Sequence, residues 1–418
     1  MIDNRELSAV DPVIADLLNK ELERKETCLE LIPSENCVSE AVLEVTGSIF
    51  TDKYCEGYPG RRYYGGCVYY DEVERLAISR ACELFGMEAA NVQPHSGANA
   101  NMAVFLSVVE PGDTVLGPKL DHGGHLSHGS KVNFSGMYYN CVGYGVHPET
   151  GLYEEEEIDA LAQEHRPKMI ICGASAYSRQ IDFPMFRRVA DRVGATLLAD
   201  VSHYSGLIVG GAYQSPVGHA HIVTTTTHKT LRGPRGGMIL SDKERIKRIN
   251  KMVFPGTQGG PLMHQIAAKA VAFGEALQPS FKDYAHKVVE NAKVLAGCLM
   301  ERGFEILSGG TDSHLMVLDF RGSELTGKLV EEVLSRVGIT VNKNTVPNDP
   351  RPAAVTSGVR LGTPAITSRG FESGDMRTVA RWISEAVESR EDENKLAAIR
   401  EEVRNLCRTY PLYPQRSR

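Results

Sequence analysis

The chain has 418 residues, 42% of them hydrophobic, enough to bury a large core and to divide into more than one domain. Its formal net charge of −7, with Lys and Arg scattered among Asp and Glu, argues against nucleic acid or a membrane surface as the main partner and favours small polar substrates. The nine cysteines form no C-x-x-C pair and read as reduced thiols, and no run of about 18 apolar residues suggests a membrane span.

Taken in chain order, the first 26 residues, MIDNRELSAVDPVIADLLNKELERKE, read as acidic and helical rather than as an export signal, so a cytoplasmic protein is expected. Strand-like runs follow at 114–117 (TVLG), 169–173 (MIICG), 196–200 (TLLAD), 222–227 (IVTTTT) and 237–240 (GMIL). FPMFRRVADRVG, between the second and third of these, has helical spacing. Strand, helix, strand at that interval implies parallel pairing, with ligands bound beyond the carboxyl ends of the strands. From Phe281 the apolar positions Tyr284, Val288, Ala292, Leu295 and Leu299 recur three or four apart and predict one long amphipathic helix. FEIL, HLMVLDF, a helix around TGKLVEEVLSRVG and then ITVNK give the pattern of a small α+β unit.

The chemistry concentrates after the strands. Lys229 follows the threonine-rich run in TTTTHKTLRGPRGG, where partial desolvation and the neighbours Arg232 and Arg235 would lower an amine's pKa, as imine formation requires. An exposed strand-end lysine is the plainer alternative. LLADVSH ends an apolar run on Asp200 and adds His203, and a carboxylate so placed either pairs a ligand or caps the next helix. QPHSGANANMAV sets Ser96 and Gly97 just before a helix-like run, which suits phosphate binding by backbone N–H groups. An amine, an acid and an anion cradle are together the three handles of pyridoxal phosphate. His122, His125 and His128 in DHGGHLSH lack a fourth ligand at a usual spacing, so no metal is expected. GPRGG lacks the ending of a nucleotide-binding phosphate loop.

In order along nearly the whole chain, LIPSEN, DKYCEGYPGRRYYGG, NVQPHSG, HGGHLSHGS, NFSG, SAYSR, TTTTHKTLRGPRGG, FPGTQGGPLMH, NKNTVPNDPR and TSGVRLGTPAITSRG resemble the serine hydroxymethyltransferases. That resemblance implies an α/β fold of type I, with an N-terminal helical arm over 1–30 and a small C-terminal α+β domain over 280–418. Between them, 31–279 would form a large pyridoxal phosphate-binding domain on a mainly parallel seven-stranded sheet. It implies that Lys229 carries the imine, Asp200 pairs the pyridine nitrogen, His203 lies near the phenolic oxygen and His125 stacks on the ring. Ser96, Gly97 and Ala98 would hold the phosphate, with Ser175 and Arg235 also at the cofactor. Arg360 would grip the substrate carboxylate beside Ser34, His203 and Tyr64, with His228 and Thr226 at the reacting centre. The four threonines would supply hydroxyls around the cofactor and substrate. A homodimer with shared sites is implied, a tetramer remaining open, in which Tyr54, Glu56, Tyr64, Gly259 and Gly260 reach a neighbour's cofactor. Glu56 would be the acid/base group, and Leu120, Gly124, Leu126 and Asn344 would join it around tetrahydrofolate.

The reaction so implied is hydroxymethyl transfer between methylene-tetrahydrofolate and glycine, giving serine. Departures from the family pattern keep other readings open. The phosphate segment commonly reads S-G-S-Q-A-N and here reads SGANAN; Asp121 replaces an alanine; VSHYSG puts Ser202 against the ring face and Tyr204 behind it; and Pro352, Ala353 and Ala354 stand where S-P-F is usual. The alternatives are a specialised relative acting on alanine and α-methylserine, a folate-independent aldolase or transaldolase on β-hydroxy amino acids, and a catalytically silent binding protein.

Overall fold

Short runs rich in Val, Ile, Leu and Thr pair into a sheet because their branched side chains fit a pleated surface covered on both faces. In the computed structural model, which describes residues 5–414, seven strands do so; residues 1–4 of the expected arm lie outside the described residues. In chain order they are β1 (Ala89–Asn91), β2 (Thr114–Pro118), β3 (Asn140–Tyr144), β4 (Met169–Cys172), β5 (Thr196–Asp200), β6 (Ile222–Thr226) and β7 (Gly237–Ser241). Their spatial order is β1-β7-β6-β5-β4-β2-β3. Pairing is parallel from β6 through to β3, so the fold is α/β with a mainly parallel central sheet.

One strand departs from the parallel expectation. β7, the GMIL run, is antiparallel to both β6 and β1. Residues 227–236 are all that connect β6 to β7, too short a link for the helical crossover that a parallel return needs. β1 is not evident from the sequence because Ala and Asn are poor strand formers, and β3 because Asn140 and Gly143 interrupt its strand-favouring Val142 and Tyr144.

The helix Phe183–Val193 shows why the intervening segments fold as they do. Asp182 caps it by accepting the Met185 N–H, Pro184 sits in the first turn, and Gly194 ends it with φ of 71°. It buries Phe183, Met185, Phe186, Val189 and Ala190 against the sheet.

The long helix expected from Phe281 runs Pro279–Glu301 and straddles two cores. Phe281, Tyr284, Ala285 and Val288 pack with the large sheet. Ala292, Leu295 and Leu299 pack in a second core around an antiparallel sheet of β8 (Leu315–Asp319), β9 (Asn342–Asn344) and β10 (Gly358–Gly362), ordered β8-β10-β9. FEIL does not form the expected strand; only Ile306 bridges Leu318 before a 3-10 turn at Leu307–Gly309. ITVNK splits in two, and Ile339–Thr340 pairs in parallel with Leu29–Glu30, which draws Leu29 and Leu31 into the second core.

One buried lysine ties the frame to the site. Lys269, on the helix Met263–Ala276, donates to the carbonyls of Val92 (2.7 Å), Gly237 (2.8 Å) and Pro94 (3.1 Å), fixing the exits of β1 and the start of β7 on either side of Ser96. Among the described residues, no helix is long and apolar enough to cross a membrane.

Candidate active site

The carboxyl ends of β5 and β6 open into a cavity of about 370 Å³. It is lined by Lys229, Asp200, His203, His125, Ser96, Gly97, Ala98, Ser175, Thr226, His228, Arg235, Ser34 and Arg360 from the expected set. Asn101, His128, Ala174 and Ser202 also line it; of these the sequence places only Ser202 at the ring face and weighs His128 only as a metal ligand, and it gives Asn101 and Ala174 no role.

Asp200 is the most heavily coordinated group. Its Oδ1 accepts from the Ser202 hydroxyl at 2.5 Å and the Ser202 N–H at 3.1 Å, while Oδ2 accepts from Asn101 Nδ2 at 2.8 Å and His128 Nε2 at 2.9 Å. Burial works to raise its pKa, but the His128 bond and the other donors outweigh it and hold the carboxyl well below the usual range. The tautomers behind it follow from backbone geometry. His128 Nδ1 accepts the His125 N–H, so the His128 proton sits on Nε2 and points at Asp200. Asn101 donates to Ser127 Oγ, which lies 2.7 Å from His125 Nδ1; that nitrogen also accepts the Ser127 N–H. Burial, then the neighbouring His128, pulls His125 down to about 4, so its ring is neutral.

Lys229 has the opposite environment. No protein group among the described residues accepts from its Nζ, and burial lowers its pKa to about 8 despite the opposing charge of Asp200, with Arg360 and Arg235 adding to the fall. The sequence reading of Arg232 as a second cationic neighbour is wrong. Arg232 takes a left-handed backbone (φ 59°) that turns its guanidinium away, over Tyr284 at 4.7 Å and Phe281 at 5.6 Å.

The threonines also differ from expectation. Their hydroxyls are spent internally, Thr224 on Asn101, Thr225 on the Thr226 carbonyl, Thr226 on the Ser202 carbonyl and Thr227 on the Pro234 carbonyl. Only Thr226 of the four lines the cavity. Glycines on both sides serve close approach: a Cβ on Gly237, after the threonines, would overlap the Ser96 carbonyl, and one on Gly97, at the helix start, would sit 2.7 Å from Thr226 Cγ2. That packing sets the start of the helix Gly97–Val108, capped by Ser96 on the Asn99 N–H, with its first N–H groups at the cavity.

Arg360, on β10, reaches the cavity from the second core. Its Nη1 donates to the Ser175 carbonyl at 2.5 Å and its Nε to Asn342 Oδ1 at 3.2 Å, and burial lowers its pKa to about 10, still a cation at neutral pH. His228 Nδ1 is buried without a partner, and burial followed by Arg235 and Lys229 takes its pKa to about 3.

The remaining expected residues do not line this cavity. Tyr54, Glu56, Tyr64, Gly259 and Gly260 gather in a separate cluster: the Tyr54 and Tyr64 rings are 5.6 Å apart, a Cβ on Gly259 would be 3.3 Å from Glu56 Oε1, and one on Gly260 would be 3.0 Å from the Tyr54 ring. Leu120 and Leu126 stand exposed on the loop after β2, with Gly124 between them, and Asn344 ends β9 with its amide on the Thr345 carbonyl. His122, weighed above as a metal ligand, instead accepts the Val146 N–H.

Compared with known families, residues 7–383 match the family model described as serine hydroxymethyltransferase.

The lowered amine gives a pH signature. With a pKa of about 8, about a quarter of Lys229 is neutral at pH 7.5 and about nine-tenths at pH 9. The rate at which cofactor-free protein condenses with pyridoxal phosphate, followed by absorbance against a Lys229→Ala blank, should rise about fourfold over that interval and level off. An ordinary lysine would give a rise of about thirtyfold with no plateau.

Proposed function

The chain belongs to the serine hydroxymethyltransferase family, and on that premise we propose that it interconverts glycine and L-serine with tetrahydrofolate as the one-carbon carrier. Members of the family are oligomeric, pyridoxal phosphate-dependent transferases that move a hydroxymethyl group and use tetrahydrofolate as co-substrate. The observation that carries the assignment is that Lys229, Asp200, the Ser96–Gly97 helix start and Arg360 line one cavity.

These residues fit the cofactor part by part. Lys229 offers an amine with no internal partner, Asp200 an ionised carboxylate for a ring nitrogen, and the helix at Gly97 unspent N–H groups for a phosphate. Bound there, pyridoxal phosphate supplies an electron-accepting ring that stabilises negative charge at the amino acid's α-carbon.

The chain's own groups do the rest. Lys229 Nζ, half neutral near pH 8, would hold the cofactor through its aldehyde and, when free, would serve as a base that takes a proton from the amino acid's α-carbon. Asp200 keeps its charge because four donors hold it, so it can pair a protonated ring nitrogen without taking the proton. His125, neutral and lining the cavity, would pack against the cofactor's ring. Arg360 grips the substrate carboxylate; its Nε and one Nη1 donor are fixed on Asn342 and Ser175, which leaves the guanidinium edge oriented toward the cavity. Ser34 stands beside it. A clamp on the carboxylate would fix how the amino acid is oriented toward the cofactor, and so which of its α-carbon bonds is labilised.

We further read the Tyr54, Glu56, Tyr64, Gly259 and Gly260 cluster as the part a second copy of the chain lends to this cavity, with Glu56 as the acid/base group for the hydroxymethyl carbon. Their collection on one surface, apart from the cavity of their own chain, supports this reading. The exposed Leu120 and Leu126, with Gly124 and Asn344, suit the flat folate body.

Two experiments test these readings. Purified protein given glycine, L-serine, alanine, α-methylserine or threonine, each with and without tetrahydrofolate, should turn over glycine and L-serine only with the folate. Preference for alanine and α-methylserine, or full turnover without folate, would overturn the assignment. For the shared site, Glu56→Gln and Lys229→Ala should each lose at least about 100-fold in kcat. Co-expressed, they should recover about a quarter of wild-type activity, because half the dimers are mixed and each holds one intact site; no recovery would place Glu56 in its own chain's site.

A further inference from the structure

Two histidines meet behind the cavity. His203 lines it, and His314, the residue before β8, is wholly out of solvent. Their rings lie near-parallel, centroids 5.4 Å apart and planes 23° from each other, and meet edge to edge through one polar contact, His203 Nδ1 to His314 Nε2 at 3.2 Å. Burial first, then the cations Lys229 and Arg360, holds His203 well below its ordinary range; burial, then Arg360 and Lys229, does the same to His314. Both rings are therefore neutral, and each carries a single N–H.

Two neutral imidazoles in contact through one nitrogen each can share one proton in two ways. Either His314 Nε2–H donates to His203 Nδ1, or His203 Nδ1–H donates to His314 Nε2. The surroundings decide between them. His314 Nδ1 is buried with no hydrogen-bond partner. The Tyr204 ring lies edge-on to His314 and its hydroxyl donates to the Tyr177 carbonyl; its oxygen makes no hydrogen bond with that Nδ1. The second arrangement would put the His314 proton on that Nδ1, a buried N–H with nothing to accept it. The first leaves a bare lone pair there, the less costly orphan. The His314 proton accordingly sits on Nε2, His203 Nδ1 accepts it, and the His203 proton is left on Nε2, the nitrogen not engaged by His314.

We propose that His314 is a positioning residue that fixes His203 as an Nε2–H donor toward the cavity. A donor held this way selects an oxygen acceptor, of the phenolate or carboxylate class, and disfavours a cation or a second N–H. That His203 meets the cofactor's phenolic oxygen rests on the function proposed above; the tautomer itself does not.

The test is two-bond proton–nitrogen correlation on the full-length protein labelled with 15N-histidine, cofactor-free and loaded, with His203→Gln and His314→Gln assigning the signals. Wild-type His203 and His314 should both show the Nε2–H pattern; an Nδ1–H pattern on either overturns the proposal, and the pattern is read on the wild-type protein, the Gln variants serving only to assign it. In His314→Leu the His203 Nδ1 resonance should move to that of a nitrogen without a donor, and His314→Gln, whose amide N–H can reach the same place, should restore it. An unmoved resonance in His314→Leu also overturns it. Affinity for pyridoxal phosphate should fall about tenfold in His314→Leu. If the tautomer result holds while affinity is unchanged, the inference stands and the placing of His203 beside the cofactor fails instead.

Discussion

Burial penalises every charge, yet at the ends of two adjacent strands it leaves one group ionised and releases another. Asp200 closes β5 and Lys229 follows β6. The aspartate receives four hydrogen bonds and stays a carboxylate; the lysine receives no acceptor and falls to about 8. The same desolvation acts on both, and the difference is whether the protein supplies partners for the charged form. A cavity holding a permanent anion and a readily neutralised amine suits an aldehyde-bearing, nitrogen-containing ring.

Much of the surrounding structure can be understood as support for that contrast. Thr224 holds Asn101, Asn101 holds Asp200 and Ser127, and Ser127 holds the His125 ring. Lys269 ties the β1 exit to β7, so that the Ser96 carbonyl and Gly237 approach as closely as only a glycine allows. The second core contributes through β10, which carries Arg360 across to the Ser175 carbonyl. The threonine-rich run thus serves as scaffold, its hydroxyls consumed in fixing the groups that face the ligand.

The sequence made legible those parts that depend on local pattern or on distinctive motifs. Five strands, the helix Phe183–Val193 and the helix Pro279–Glu301 follow from apolar spacing and end signals. Lys229, Asp200, Ser96 and Gly97 stand out because each ends or follows a strand or opens a helix, whereas Arg360, inside β10, is reached only through the family resemblance of its segment. What escaped was long-range. Asn101 meets Asp200 across 99 residues, His128 across 72, and His203 meets His314 across 111. Asn101 and His314 are unremarkable in their own segments, and the sequence offers His128 only as a metal ligand. Arg232 was misjudged because nearness in sequence to Lys229 says nothing about a left-handed turn that sends its side chain to Tyr284. The direction of β7 needed only attention to the short link before it.

The most direct check on the central claim is chemical. Cofactor-loaded protein treated with borohydride and mapped by peptide mass spectrometry should carry the reduced pyridoxyl group on the peptide containing Lys229 and lose its visible absorbance. A label on a different lysine, or no label on a protein that still binds the cofactor, would contradict the account.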